Sequence, residues 1–506
     1  MKREYYYLLA IIVLSIITSF VRPHGDDFLF INYLDNCGLG EMHWHKWAND
    51  CILLPRGFWR PIMDLFAYYV LTIYPPAYFI VMHVLSVFCH VGSAYMVYYL
   101  CRRLQCRDSS SFIASVFFLF CTTCMGGLIP GDGLAQVSTT FWGLLSVCCY
   151  ISKSKLRYVG WIIFAVIAMF WKDGGFVWLP VAPIFNEILE QKDNYGVFVF
   201  RRVRWARLLS KLFISFIPIA FFLIVYLSFK PDLVSGVLSA EANDSTSSFS
   251  KMLSVDQDNS SHTLTPANFL KSFFVLYIAG LFPIDTSAIY GHNWILLSIT
   301  LVLSVFSSFF ILKLVSKYIK TVPQEFCGFL LLVLLVSSIA LITRAGEISP
   351  HPSNAIIAII FGLAMNKLDM SKAVAFAIVG FVLSTAITDA HKFYLSYTAG
   401  KKTCLLAREV KSKTHGNPEK VLSISVGNHK GEGAFVINTP NDYRNGVAVI
   451  HEYGWKCPKY LDPIRLYDDE VNLDATIENL VNLNINKGYD CIWIQKPNGV
   501  EVINIK

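Results

Sequence analysis

The sequence predicts an α-helical polytopic membrane protein, with about eleven transmembrane helices followed by a small α/β domain outside the cytoplasm. Three observations predict it. Of the 506 residues, 54% are hydrophobic and 16% charged, against about 25% charged in an average soluble domain. Apolar runs of near-spanning length recur as far as Thr388, and the basic loops between them fall on alternate sides. Beyond Asp389 the chain turns polar and reads as short strands and one helix. The net charge of +7 does not indicate nucleic acid, because much of the basic excess sits in those short loops, where it orients the chain in a bilayer.

The first run, 5–21, is uncharged, follows Lys2 and Arg3, and lacks a small-x-small cleavage pattern, so it predicts an uncleaved anchor with a cytoplasmic N-terminus. Further runs lie at 77–100, 111–129, 134–151, 158–171, 175–189, 209–229, 294–314, 326–342, 354–365 and 373–388. With the N-terminus inside, the loops "CRRLQCR", "SKSKLR", "RRVRWARLLSK" and "KLVSKYIK" all fall inside. Two weaker stretches, "RPIMDLFAYYVLTIY" from Arg60 and "NFLKSFFVLYIAGLFPI" from Asn268, read as interfacial or re-entrant helices, since counting only one as a span inverts later loops against their charge. The organisation expected is a membrane domain over 1–391, with a first outer loop at 22–76 and a mobile polar loop at 230–268, and an outer α/β domain over 392–506. In that tail "KVLSISV", "GAFVIN", "GVAVIHEY", "DCIWIQ" and "VEVINI" read as strands and "DATIENLVNLNI" as a helix.

Sorted by side, the ionisable residues converge on the outer face. Asp26 and Asp27 with Arg56 and Arg60, then Asp132, then Lys172 and Asp173, then Arg344, Glu347 and His351 come from four separate loops. An ionisable group at the bilayer edge marks a functional site by default. Each also has an ordinary alternative: a helix cap for the aspartates, snorkelling for the arginines, a local ion pair for Lys172 and Asp173, and a solvated loop for Glu347 and His351. "HWH" at 43–45 has the spacing for two imidazoles on one metal, but no third ligand stands near, so no metal and no cofactor is implied. Cys37 with Cys51, and Cys457 with Cys491, are candidate outer disulfides.

The order of these features resembles the GT-C superfamily of membrane glycosyltransferases. The resemblance rests on the acidic pair Asp26 and Asp27 in the first outer loop, on "WRPIMDLFAYY" followed by the histidine-bearing "FIVMHVLSVFCH", on "WKDGGFVWLP", and on "GEISPHPSN". In "WKDGGFVWLP", Asp173 stands where glutamate is more usual. Size and the outward tail look most like bacterial or phage-encoded O-antigen glucosyltransferases. What the resemblance implies is a multi-pass protein of the bacterial inner membrane with a periplasmic tail. It also implies transfer of a hexose, glucose by this likeness, from a polyprenyl-phosphate sugar to lipopolysaccharide O-antigen. A GT-C enzyme acting on protein or lipid A, and a non-catalytic transporter or flippase, are the alternatives.

The chemistry of the residues agrees with that reaction. A sugar hydroxyl is a weak nucleophile, so a carboxylate, Asp26 or Asp27, takes its proton as the bond forms. The lipid phosphate that leaves needs cations at headgroup level, for which Arg56, Arg60, Lys172 and Arg344 are candidates. Asp132, Asp173, Glu347, His351 and Trp59 are candidates for positioning the substrates, and Trp44 and Trp47 for stacking on sugar rings or for an interfacial belt.

Overall fold

The structure is a computed structural model that describes residues 3–21, 61–63, 65–66, 70, 78–128, 133–228, 266–285, 288, 293–342, 349–367, 372–427, 445–454, 457–458, 460–467, 472–496 and 499–506. Helices occupy the apolar runs, and small residues set how closely they pack. Helix α1 (Arg3–Ser19) lies against α2 (Tyr78–Arg103), and Arg3 pairs with Asp108 at 2.8 Å where α3 (Asp108–Leu119) begins. Next come α4 (Gly133–Tyr150), α5 (Arg157–Trp171) and α6 (Trp178–Tyr195), which ends on left-handed Gly196. Gly143 of α4 faces Trp178, and a Cβ there would lie 2.2 Å from the indole, so only glycine lets these two helices approach.

Helix α7 (Trp205–Ser228) returns along α6. The weaker stretch near Asn268 forms α8 (Pro266–Phe273) and then a π-helical turn over Phe274–Ile278. The bundle continues with α9 (Trp294–Thr321), capped by the Asn293 side chain, then α10 (Pro323–Ile342), α11 (His351–Asn366) and α12 (Lys372–Lys413). Among the described residues, three helices, over Phe79–Arg103, Trp294–Thr321 and Val374–Lys413, are long and apolar enough to cross a membrane. On α9, Ile295, Val302 and Phe309 recur every seventh residue and are all exposed, an apolar stripe suited to lipid.

At 42 residues, α12 is about 63 Å long, twice the thickness of a hydrocarbon core of about 30 Å. Its second half is a strut for the tail, and the boundary expected at 391/392 lies inside this one helix. Behind it, β1 (Lys420–Gly427), α13 (Asn445–Glu452), β2 (Tyr460–Tyr467), α14 (Leu473–Asn484), β3 (Cys491–Lys496) and β4 (Gly499–Asn504) build a sheet of order β2-β1-β3-β4. β1 is parallel to β2 and β3, and β3 and β4 form an antiparallel pair.

Both faces of β1 are covered, one by the apolar set Leu422, Ile424 and Val426 and the other, which carries Val421 with buried Ser423 and Ser425, by α12 and α13. Leu422, Ile424 and Val426 pack with Ile477 of α14. Val421 joins Leu406, Ala407 and Val410 of α12, Val449 and Ile450 of α13, and Trp493. That second cluster also contains Met63, Phe79, Met82, Leu134 and Trp171, so the tail is seated on the end of the bundle where α5 stops.

In the tail two expectations are corrected and one strand, β2, had not been expected. "GVAVIHEY" forms α13 rather than a strand, because burying Val449 and Ile450 against α12 outweighs the strand preference of its valines. β2 contains Pro463, an edge-strand position where a missing N–H is tolerated. Cys457 and Cys491 are free thiols, and Cys457 donates to the Pro418 carbonyl at 2.8 Å. The stretch "GAFVIN" and the pair Cys37 and Cys51 lie outside the described residues. The run 111–129 is interrupted: α3 stops at Leu119 and the chain resumes as a single turn over Thr122–Met125.

Candidate functional site

Three helices leave the basic end of the bundle and stop short. α3, α5 and α11 have 12, 15 and 16 residues, hence lengths of about 18, 22 and 24 Å against about 30 Å of hydrocarbon. Their basic-end registration is fixed, for Asn366 at the end of α11 accepts from the Arg107 backbone at 2.7 Å beside the start of α3. At the other end each stops short of a full span, and Cys121, Lys172 and His351 stand immediately past or at these helix ends, Cys121 and His351 fully buried.

A buried histidine pair joins α2 to the start of α11. His90, halfway along α2, holds the Leu119 carbonyl through Nε2 at 2.9 Å and His351 Nε2 through Nδ1 at 3.0 Å. Because a carbonyl only accepts, His90 Nε2 carries the hydrogen and its Nδ1 accepts from His351 Nε2–H. His351 Nδ1 is therefore an acceptor, and among the described residues it has no hydrogen-bond partner. One turn along α11, Asn354 Nδ2 donates to Thr123 Oγ1 at 2.6 Å, and Cys121 Sγ lies 3.1 Å from the same hydroxyl. Gly280 closes this cluster: a Cβ there would stand 2.9 Å from Asn354 Oδ1 and 3.1 Å from Cys121 Sγ.

α12 presents a buried polar stripe over Ser384, Thr385, Thr388, Asp389, Lys392 and Ser396. Asp389 and Lys392 are 5% and 4% exposed, and Asp389 lies within electrostatic reach of Cys124. Beside the stripe, Asp285 is fully buried and receives His391 Nδ1–H at 2.6 Å, while its other oxygen accepts from the Ala288 backbone. Lys172 caps α5 in extended backbone, and the chain then folds back so tightly that a Cβ on Gly175 would lie 2.3 Å from the Ala168 carbonyl.

Of the residues singled out in the sequence, Lys172 and His351 are described with their side chains, and both belong to this end of the bundle. His351 is fully buried against His90 rather than exposed in an outer loop. Asp173 is described by its backbone, which opens a 3-10 turn. Asp26, Asp27, Arg56, Trp59, Arg60, Asp132, Arg344 and Glu347 lie outside the described residues. The sequence reading missed His90, Asn354, Asp285, Asp389, His391 and Lys392 as site residues. The available signal was the helical spacing of polar residues through "STAITDAHKFYLS", which a division at Asp389 cut in two. Among the described residues no cluster of three metal-ligating side chains occurs.

A scan against protein-family models and a search of curated proteins found no match. Among solved structures, the chain is similar to the archaeal oligosaccharyltransferase AglB from Archaeoglobus fulgidus, in complex with an inhibitory peptide and a dolichol-phosphate. The identity is 13%, with 97% of this chain and 69% of that chain covered and a TM-score of 0.46. It is also similar to ArnT from Cupriavidus metallidurans in the apo state, at 10% identity, with 98% and 93% of the two chains covered and a TM-score of 0.47. At these values neither likeness assigns the chain a family or a chemistry.

Proposed function

We propose that the protein is a GT-C-type membrane glycosyltransferase that moves a sugar from a polyprenyl-phosphate carrier to an acceptor hydroxyl on the side of the membrane opposite the basic loops. The observation that carries this reading is the set of buried ionisable groups where α3, α5 and α11 stop: His90 with His351, Asp285 with His391, and Asp389 and Lys392. They lie towards the end of the bundle that also carries Lys172 and the tail, and buried ionisable groups at such a depth are expensive unless they serve a substrate. On this reading Asp26 or Asp27 accepts the proton of the acceptor hydroxyl, and Arg56, Arg60, Lys172 and Arg344 neutralise the phosphate as it departs. His351, with Asp132, Asp173, Glu347 and Trp59, positions the substrates. The exposed apolar helix faces accommodate the prenyl chain.

In the narrower form the sugar is a hexose, glucose by resemblance, the acceptor is lipopolysaccharide O-antigen, and the protein lies in the bacterial inner membrane with its tail in the periplasm. Mass spectrometry of surface polysaccharide from cells with and without the gene tests it. A hexose increment per repeat unit is expected. An unchanged polysaccharide with a modified lipid A or protein moves the acceptor, and no sugar difference in any of the three overturns the transferase reading.

A further inference from the structure

At the basic end, two cations converge on one ring. The Arg157 guanidinium lies 4.6 Å and the Lys211 ammonium 4.3 Å from the centre of the Tyr158 ring, and Arg157 also donates to the Tyr158 hydroxyl at 2.8 Å. Arg157 and Arg207 are both within electrostatic reach of Tyr150, whose ring meets Tyr158 edge-on. The acids closest in the fold are already engaged, Glu190 by Arg204 and Arg207, and Glu187 by Arg204. Among the described residues neither Arg157 nor Lys211 has a carboxylate partner. Two like charges on one aromatic ring repel each other, and the ring offsets only part of that cost. An anion at the edge of the ring offsets that cost, with the guanidinium, the ammonium and the Tyr158 O–H as donors.

The site also has a place for hydrocarbon. α5 and α7 flank α6 at a common level, because the Leu179 carbonyl accepts from Trp161 Nε1 at 3.2 Å and from Ser215 Oγ at 3.3 Å. Within about two turns of the cations, Val159 and Ile163 on α5 and Phe213 on α7 are exposed. Lys153, Lys155, Arg201 and Arg202, in the segments that precede α5 and α7, are further exposed cations at this end. That field repels the ammonium of a zwitterionic lipid and attracts a headgroup without one.

We propose that Arg157, Tyr158 and Lys211 form a phosphate clamp for an anionic glycerophospholipid whose acyl chains lie along α5 and α7. The proposal needs the basic end to sit at headgroup level and does not depend on glycosyl transfer. The full chain, purified in detergent, is titrated with phosphatidylglycerol or phosphatidylcholine and bound lipid is counted by native mass spectrometry. Phosphatidylglycerol should be retained preferentially. Lys211→Gln should weaken it on the order of fivefold and Arg157→Gln/Lys211→Gln about 25-fold, from about 1 kcal/mol per cation. Lys401→Gln, an exposed cation at the far end of α12, should change nothing. If Arg157→Gln does not fold, Lys211→Gln alone decides. Equal retention of the two lipids, or unaltered affinity in Lys211→Gln, overturns the proposal. Full competition by millimolar inorganic phosphate overturns the lipid in favour of a soluble phosphate ligand.

Discussion

The buried ion pair that ties α6 to α10 is the best place to perturb the bundle by a known amount. Lys192 Nζ meets Glu325 Oε1 at 2.7 Å, with the two side chains 6% and 1% exposed, and Tyr318 of α9 donates to the same oxygen at 2.7 Å. Lys192→Met leaves the carboxylate buried with the Tyr318 hydroxyl; among the described residues Lys192 is its ion-pair partner and Glu325 Oε2 has no hydrogen-bond partner. Removing one member of a buried pair costs about 3–5 kcal/mol, whereas replacing both by apolar groups of similar volume is often neutral or stabilising by about 1–4 kcal/mol. Tyr318→Phe should cost less, about 1–3 kcal/mol, because it removes one donor and no charge. The assay is the apparent thermal midpoint of the detergent-purified protein at a fixed scan rate. Lys192→Met and Glu325→Leu should each lower it, and Lys192→Met combined with Glu325→Leu should restore it. A double variant as unstable as either single one, or an unchanged Lys192→Met, refutes the reasoning.

Further predictions follow from the same contacts. Gly143→Ala forces a methyl into the Trp178 ring and should cost about 1–3 kcal/mol or more, seen as a loss of the monodisperse peak in fluorescence-detected size exclusion. Asp490 is held down to about 2 by Lys506 and the backbone amides of Lys420 and Glu419. Its folded value lies below its ordinary one, so its contribution to stability is present above about pH 4 and disappears as pH falls through about 2. Asp490→Asn should therefore loosen β1 and β3 at pH 7 and match the parent below pH 2, read by hydrogen exchange of the full chain. Cysteines placed at Lys172 and in the tail should be labelled from the same side of the membrane by an impermeant reagent, and labelling from opposite sides dissolves the shared site.

How much could be read in advance follows from what each signal depends on. Helix positions were legible because long apolar runs between basic loops leave the chain few choices, as at α2 and α9. The break after Leu119 was not, because "FFLFCTTCMGGLIP" has uniform hydropathy and the helix ends where His90 takes the Leu119 carbonyl, a contact remote in sequence. The same holds for the site. Lys172 and His351 stood out as charges at run ends, but Asp285 with His391, and His90 with His351, become pairs only when helices 100 or more positions apart are packed together. α13 failed as a strand because its environment, the flank of α12, is tertiary.

The central claim, sugar transfer at the far end of the bundle, is tested most directly by the acidic pair of the first outer loop. Asp26→Asn and Asp27→Asn, assayed singly for transfer from a polyprenyl-phosphate sugar with membrane insertion verified, should include one variant slowed by at least about 10²-fold, the lower bound for loss of a general base. Full activity in both, with both proteins normally inserted, contradicts the account.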